Sequence, residues 1–357
     1  MRITIDATSA LLRSAGVKNY IYHWVRHLRR RAHGDQIRGY PFLGDLGRLD
    51  HDSSTLTRWQ TLPRLAVLYL TRESSALDWV LTGSDIFHAS NQVRRAPRRA
   101  KLTATIYDLT TRLMPQFHTE ANVRAERTYT ENILARAGGL IAISENTRQD
   151  AIRMLDLAPE KIETIYPGIT EEYFDAKPVR RERPYALYVG TIEPRKNLDT
   201  LLDAWRALNP ELRREFDLVV AGPAGWASEK TMARVRAETK YLGYVPESDM
   251  PGLTAGATVF VYPSLYEGFG FPPVQAMAAG TPVVTSNNSC LPEVVGDAAL
   301  LADAQSPSEI AAQITRLLES DSLRAQLSIR GRERANLFRW ENCADRSLSF
   351  FRRVLGR

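Results

Sequence analysis

Short apolar runs alternate with helical periods from one end of this chain to the other, and the alternation restarts near its middle. Such a pattern specifies parallel sheets covered on both faces by helices. The first series reads as strand 2 to 7, helix 17 to 31 and strand 37 to 43. An irregular part, 44 to 84, precedes strands 85 to 89 and 101 to 107. A helix from about 119 to 137, strand 139 to 143, helix 145 to 155 and a short strand at 162 to 168 complete it. A charged, proline-bearing stretch, DAKPVRRERP (175 to 184), reads as a linker. The second series begins at Tyr185 and runs to about 335, and an amphipathic helix spans 339 to 356. At 357 residues the chain suits two α/β domains, divided as 1–170 and 171–338, followed by the C-terminal helix, 339–357.

Two strand ends in the second series carry chemistry. The apolar run YALYVG (185 to 190) is followed by Arg195 and Lys196, and TVFVYP (258 to 263) by Glu267-Gly268-Phe269-Gly270 and a proline-led helix. A helix N-terminus points backbone N–H groups at whatever lies above the sheet, and two adjacent cations complement an anion there. Together these devices predict a bound pyrophosphate.

The net charge of +6 is unevenly spread. Residues 1 to 168 hold 24 Lys and Arg against 17 Asp and Glu, and the remainder holds 23 against 24. The excess gathers in Arg26, Arg29, Arg30 and Arg31, and again in Arg94, Arg95, Arg98, Arg99 and Lys101. It reads either as a solvated face or as attraction to an anionic membrane or a pyrophosphate-linked acceptor. Neither cluster is interleaved with aromatics, which argues against nucleic acid. The segment 64 to 81 is apolar at near-helical spacing and fits a core or capping helix or a membrane-surface helix. No run approaches the roughly 20 apolar residues of a membrane span, and RITID reads as a buried strand rather than a signal peptide. The expectation is a cytoplasmic protein, peripheral at most on the inner face of the plasma membrane. Cys290 and Cys343 lack the spacing of a zinc site or disulfide framework.

The residues from 185 to 300 resemble retaining glycosyltransferases of the two-Rossmann-domain (GT-B) architecture, the family 4 or group 1 type that includes bacterial mannosyltransferases. The resemblance implies two Rossmann-like domains facing each other across a cleft, with the C-terminal helix, 339–357, crossing back to the first, a nucleotide sugar bound mainly by the second and the acceptor mainly by the first. Arg195 and Lys196 match the basic pair that grips the donor's pyrophosphate. Glu267 matches the first carboxylate of the family's E-x7-E motif, which implies that it faces the donor sugar and accepts from its hydroxyls, with the backbone of Gly268, Phe269, Gly270 and Phe271 beside it on the phosphate side. After seven intervening residues stands Gln275, where the family usually has a ribose-binding glutamate, so donor binding is expected to be weaker. Gly190, and Tyr244 and Val245 in LGYVP (242 to 246), fall where relatives line the nucleotide.

In the first half the same resemblance assigns Ala15-Gly16 to a glycine loop near the phosphates, and Tyr107-Asp108 to a usual His-Asp pair that contacts the transferred sugar. His88, Ser144 and Arg148 are candidate acceptor contacts, although His88 fits equally a strand-end core histidine. AGPAGW (221 to 226) and Glu293 read either as cleft residues or as turn chemistry. The family's mechanism implies transfer of a hexose with retention, without a metal or other cofactor, the phosphate leaving group being stabilised by Arg195 and Lys196. GDP-mannose is the first expectation for the donor and a glycan or lipid-linked molecule for the acceptor. A UDP-sugar transferase or synthase of the same fold, and a non-catalytic sugar-nucleotide-binding subunit, are the alternatives.

Overall fold

A computed structural model describes residues 1–12, 16–49, 54–90, 92–226 and 228–357. The chain divides into two compact units, residues 1–168 with 339–357, and residues 169–338. Unit 1 runs β1 (Arg2–Asp6), α1 (Gly16–Arg31), β2 (Gln36–Tyr40), α2 (Arg58–Thr71), α3 (Ala76–Val80), β3 (Ile86–Ala89) and β4 (Lys101–Ile106). It continues through α4 (Thr110–Leu113), α5 (Glu120–Asn132), β5 (Gly139–Ala142), α6 (Glu145–Leu155) and β6 (Ile162–Thr164). Unit 2 runs α7 (Glu171–Phe174), β7 (Tyr185–Val189), α8 (Leu198–Ala207), α9 (Pro210–Glu215), β8 (Asp217–Ala221), α10 (Glu229–Glu238) and β9 (Lys240–Gly243). Then follow α11 (Met250–Ala255), β10 (Val259–Tyr262), α12 (Phe271–Ala279), β11 (Val283–Ser286), α13 (Leu291–Val295) and β12 (Leu300–Ala302). The helices α14 (Pro307–Glu319) and α15 (Asp321–Ala335) close unit 2, and α16 (Trp340–Leu355) returns to unit 1.

Each unit holds a six-stranded parallel sheet, in the orders β2-β1-β3-β4-β5-β6 and β12-β11-β10-β7-β8-β9. Helices on both faces bury the central strands of unit 2, as in β7 and β10, where only Val189 is not fully buried. The strand order reverses between β1 and β3 in unit 1 and between β7 and β10 in unit 2. At such a reversal the connections leave in opposite directions and open a crevice at the carboxyl ends of the strands.

The segment expected to be irregular, 44 to 84, contains α2 and α3. Thr57 and Gln60 form a capping box at the start of α2, and Leu68 and Leu77 are buried against the unit 1 core. The last helix completes that core. Trp24 of α1 donates from Nε1 to Ser347 Oγ at 3.0 Å, and Phe351 packs on both Trp24 and His88. Gly168 admits the backbone of Trp340, because a Cβ there would lie 2.3 Å from its nitrogen. Glu163 receives Arg346 and Arg353 of α16. No described helix is long and apolar enough to cross a membrane.

Candidate active site

The strand reversal of unit 2 carries the charged residues. Beyond β7 the chain makes a single helical turn, Pro194–Lys196, and Asn197 takes a left-handed conformation, φ 59°, that asparagine tolerates better than most residues. Its amide donates to the carbonyls of Pro263, 2.9 Å, and Ala304, 2.6 Å, and its oxygen accepts from Thr200. The Leu265 N–H donates to the Arg195 carbonyl at 2.9 Å. These bonds tie the loop after β7 to the loop after β10 and so bring Arg195 and Lys196 to Glu267.

Lys196 Nζ donates to Glu267 Oε1 at 2.6 Å and to Tyr262 Oη at 2.7 Å. Tyr262 and Ser264 donate to the same oxygen of Glu267 at 2.9 and 2.7 Å. Arg195 lies 3.2 Å from Glu267 Oε2 through Nη1, donates to the Tyr266 carbonyl, and pairs through Nη2 with Glu193 at 2.9 Å. Two carboxylates and two cations thus form one compact, formally neutral cluster. Burial pushes the Glu267 carboxyl up, but Lys196, Arg195 and the donated hydrogen bonds outweigh it and hold its pKa at about 2. Burial raises the Glu193 carboxyl despite Arg195 and Lys196, and burial lowers Lys196 against the pull of Glu267. The Arg195 and Lys196 side chains keep 14% and 13% of their surface, so the cluster touches solvent through its cations.

Glycines bring backbone to the cluster. Gly270 has φ +84°, and a Cβ there would lie 2.8 Å from Leu291 Cδ2. It caps α12, whose first residues are Phe271, Pro272 and Pro273, the last two without an N–H to satisfy. Phe269 turns into the core against Phe271 and Phe338. On α12 only Phe271, Pro272 and Gln275 are not buried, which places Gln275 on the open face one turn inside the N-terminus. Gly190 donates to the Ala221 carbonyl, and Gly222 sits so close that a Cβ would lie 2.0 Å from the Gly190 oxygen. Tyr244 is exposed, whereas Val245 lines a separate cavity of about 850 Å³ with Glu171, Glu172, Asp175 and Asp249. Those carboxylates have the wrong sign for a diphosphate, so this cavity is not where an anion would bind.

Glu193, Tyr262 and Ser264 complete the cluster without having been singled out in the sequence. Each lies within a few residues of a recognised motif at the end of a strand, but a buried glutamate beside an arginine leaves no spacing signature of its own.

Unit 1 corrects several expectations. His88 is 1% exposed; its ring nitrogens meet Thr103 Oγ1 at 2.9 Å and Thr105 Oγ1 at 2.8 Å, under Trp24 and Phe351. Burial lowers its pKa to about 3, so it is a neutral core histidine rather than an acceptor contact. Ser144 is fully buried and caps α6, accepting from the Thr147 N–H at 3.1 Å. Arg148 spends its guanidinium on the carbonyls of Ile162 and Pro159 and on Glu145. Tyr107 has its hydroxyl buried and its ring edge-on to Tyr20, which leaves no donor directed outward to a sugar. Asp108 accepts from the N–H and hydroxyl of Thr110 and so serves a turn. Gly16 opens α1 with free space at its Cβ position, and Ala15 lies outside the described residues. Of the basic cluster on α1, Arg29 bonds the carbonyls of Ile37, Leu43 and Gly44, and Arg31 pairs with Asp345. Both side chains are engaged within unit 1, Arg29 by backbone carbonyls and Arg31 in an exposed ion pair.

Known proteins match this chain over nearly its whole length. The family model described as glycosyl transferases group 1 matches residues 169–334, and that of glycosyltransferase family 4 matches residues 14–173. O-antigen chain mannosyltransferase B of Escherichia coli is 34% identical over 305 residues, which is 80% of this chain and 78% of that protein. Among solved structures, sucrose-phosphate synthase from Thermosynechococcus elongatus has a TM-score of 0.77 at 20% identity, covering 100% of this chain and 99% of its own. Anabaena HepE, solved in complex with UDP-glucose, has a TM-score of 0.70 at 17% identity, covering 98% and 99%. Both share the fold of two parallel α/β units.

Proposed function

Because the chain belongs to glycosyltransferase family 4, the group 1 enzymes, and is a hexosyltransferase, we propose that it moves mannose from GDP-mannose to a glycan or lipid-linked acceptor with retention. The observation that carries this reading is the cluster of Arg195, Lys196 and Glu267 at the strand reversal of unit 2. When the bond between the sugar's anomeric carbon and the phosphate oxygen breaks, the electron pair stays on that oxygen and negative charge grows there. Arg195 offers a planar fork and Lys196 a compact charge, and both gain energy as the charge develops. Glu267 holds the two cations in place before the donor arrives. The acceptor hydroxyl attacks the same face of the sugar that the phosphate leaves, and the departing phosphate oxygen takes the hydroxyl proton. In this mechanism the two side-chain cations serve the charge that a metal ion would otherwise neutralise.

Mannose is supported by the 34% identical relative, which is named a mannosyltransferase. A UDP-linked donor is the second reading, supported by the fold shared with HepE, whose structure contains UDP-glucose. A non-catalytic sugar-nucleotide binder would hold the diphosphate with the same cations, and it is the family that argues for the enzyme. Calorimetric titration without added metal, using GDP, UDP, ADP and dTDP and then their sugars, tests the reading. Preference for GDP and GDP-mannose supports it, preference for UDP selects the second reading, and binding of none of them overturns both.

A further inference from the structure

An ammonium group carries three N–H bonds at tetrahedral angles, so two acceptors fix the direction of the third. Lys196 gives one hydrogen to Glu267 Oε1 at 2.6 Å and a second to Tyr262 Oη at 2.7 Å. Among the described residues it meets no third acceptor, and its side chain keeps 13% of its surface. The remaining N–H bond therefore leaves the cluster on the side open to solvent, where a phosphate oxygen would arrive.

Of the two acceptors, Tyr262 is the one that gives this arrangement its direction. Glu267 Oε1 takes bonds from Lys196, Tyr262 and Ser264, and a carboxylate oxygen receives donors over a broad arc. The phenol has one proton and gives it to Glu267 at 2.9 Å, so its oxygen can only accept from the ammonium. Burial, and then the Glu267 carboxylate, raises the Tyr262 hydroxyl well above the usual tyrosine range and keeps that proton in place. Lys196 and Glu267 stand on loops, whereas Tyr262 ends β10, between β7 and β11 in the sheet. Its ring is 1% exposed and packs on Tyr188 at 6.0 Å and Phe260 at 6.2 Å between centroids, and its carbonyl accepts from the Thr285 hydroxyl at 2.8 Å. A side chain fixed on a strand by packing sets a geometry more closely than one on a loop.

We propose that Tyr262 is a positioning residue for the transfer, its hydroxyl turning Lys196 so that the third N–H bond meets the phosphate that carries the sugar. This role rests on the leaving-group function given to Lys196 above. A charge alone attracts a phosphate from any side, but an aimed N–H bond gains only with an oxygen on its line. The sugar-bearing phosphate is terminal in a nucleoside diphosphate and missing from a monophosphate, so the hydroxyl should matter to the first ligand and not to the second. Without the hydroxyl the ammonium keeps its charge and its bond to Glu267, but its free hydrogen loses its direction.

Calorimetric titration of the full chain with GDP and GMP, and with UDP and UMP, tests it. The parent is expected to bind one diphosphate at least about tenfold more tightly than its monophosphate. Tyr262→Phe should weaken that diphosphate about tenfold and leave the monophosphate within about twofold, with circular dichroism as in the parent. Lys196→Arg keeps the charge but spreads its donors over a planar fork; it should lose the diphosphate preference too, and it decides the matter if Tyr262→Phe does not fold. In a Lys196→Ala background Tyr262→Phe should change neither ligand by more than about twofold, because no ammonium is left to aim. A parent that binds diphosphate no more tightly than monophosphate removes the leaving-group role of Lys196, and the positioning role with it. Where the parent shows the preference, its survival in Tyr262→Phe or in Lys196→Arg overturns the positioning role alone. So does an equal loss by Tyr262→Phe with and without Lys196, which would make the tyrosine a support of the fold.

Discussion

The two strand reversals of this molecule have the same topology and opposite chemistry. In unit 2, four ionisable groups meet at the ends of β7 and β10 and keep their cations partly in solvent. In unit 1, Asp6 at the end of β1 accepts from the N–H and hydroxyl of both Thr8 and Ser90, and is completely buried. It bridges β1 to the end of β3, while His88 is sealed beneath aromatic rings. The topology is the same at each reversal, and the side chains decide whether charge there reaches solvent or braces the sheet. Buried charge serves an incoming anion only where it is paired and still reaches water.

Lys196→Ala should break that contrast most severely. It is expected to lower turnover by about 100- to 1,000-fold, in the range found when a preorganised transition-state donor is removed; full activity in a steady-state assay would refute the leaving-group role. Glu267→Gln should follow, destabilising the protein by about 3 kcal/mol in urea unfolding, because Arg195 and Lys196 are left with Glu193 alone.

Acid should separate the units. The depressed pKa of His88 contributes stability present above about 6.5 and lost as the pH falls towards 3, whereas that of Glu267 is present above about 4.5 and lost towards 2. Burial raises Asp6 and Glu193, which act in the opposite sense, so His88→Gln isolates the histidine. Hydrogen exchange resolved by unit should show unit 1 loosening first, and the His88 variant should lose that early phase.

Gln275→Glu is expected to lower the KM for the donor by an amount worth about 1 to 2 kcal/mol, by restoring a charge-assisted bond on the open face of α12. An unchanged or higher KM would remove Gln275 from the nucleotide. Tyr107→Phe should do least and leave donor affinity within about twofold, since its hydroxyl is buried and the change is local.

The same contrast explains what could be read from the residues alone. Arg195 and Lys196 stand out in the sequence because adjacent cations at a helix start are unfavourable without an anion, and in the structure Glu267 and Glu193 stand beside them. The alternation of strands and helices was legible because each sheet is covered on both faces. Which side chain at a strand end faces solvent was not, because continuous apolar strands carry no inside-and-outside alternation. His88 at the end of β3 therefore fitted an acceptor contact and a core histidine equally, and a threonine pair decides for the core; Ser144 and Arg148, at the start of α6, are taken up by the helix cap and by two backbone carbonyls with Glu145. The helix α2 escaped a firm assignment for the converse reason: its apolar residues point both ways, and only the structure shows which of them lack a core to enter.

The return of α16 to unit 1 has a consequence for biogenesis. A ribosome that has finished residues 1–168 has made a domain whose Trp24, His88 and Gly139 still await Ser347, Phe351 and Phe350. At about 5 to 20 residues per second, translation of unit 2 leaves that surface uncovered for roughly 9 to 34 seconds. The second unit can mature on the nascent chain while the first waits. A stop codon just before Arg339 would therefore harm the part of the protein that was synthesised first.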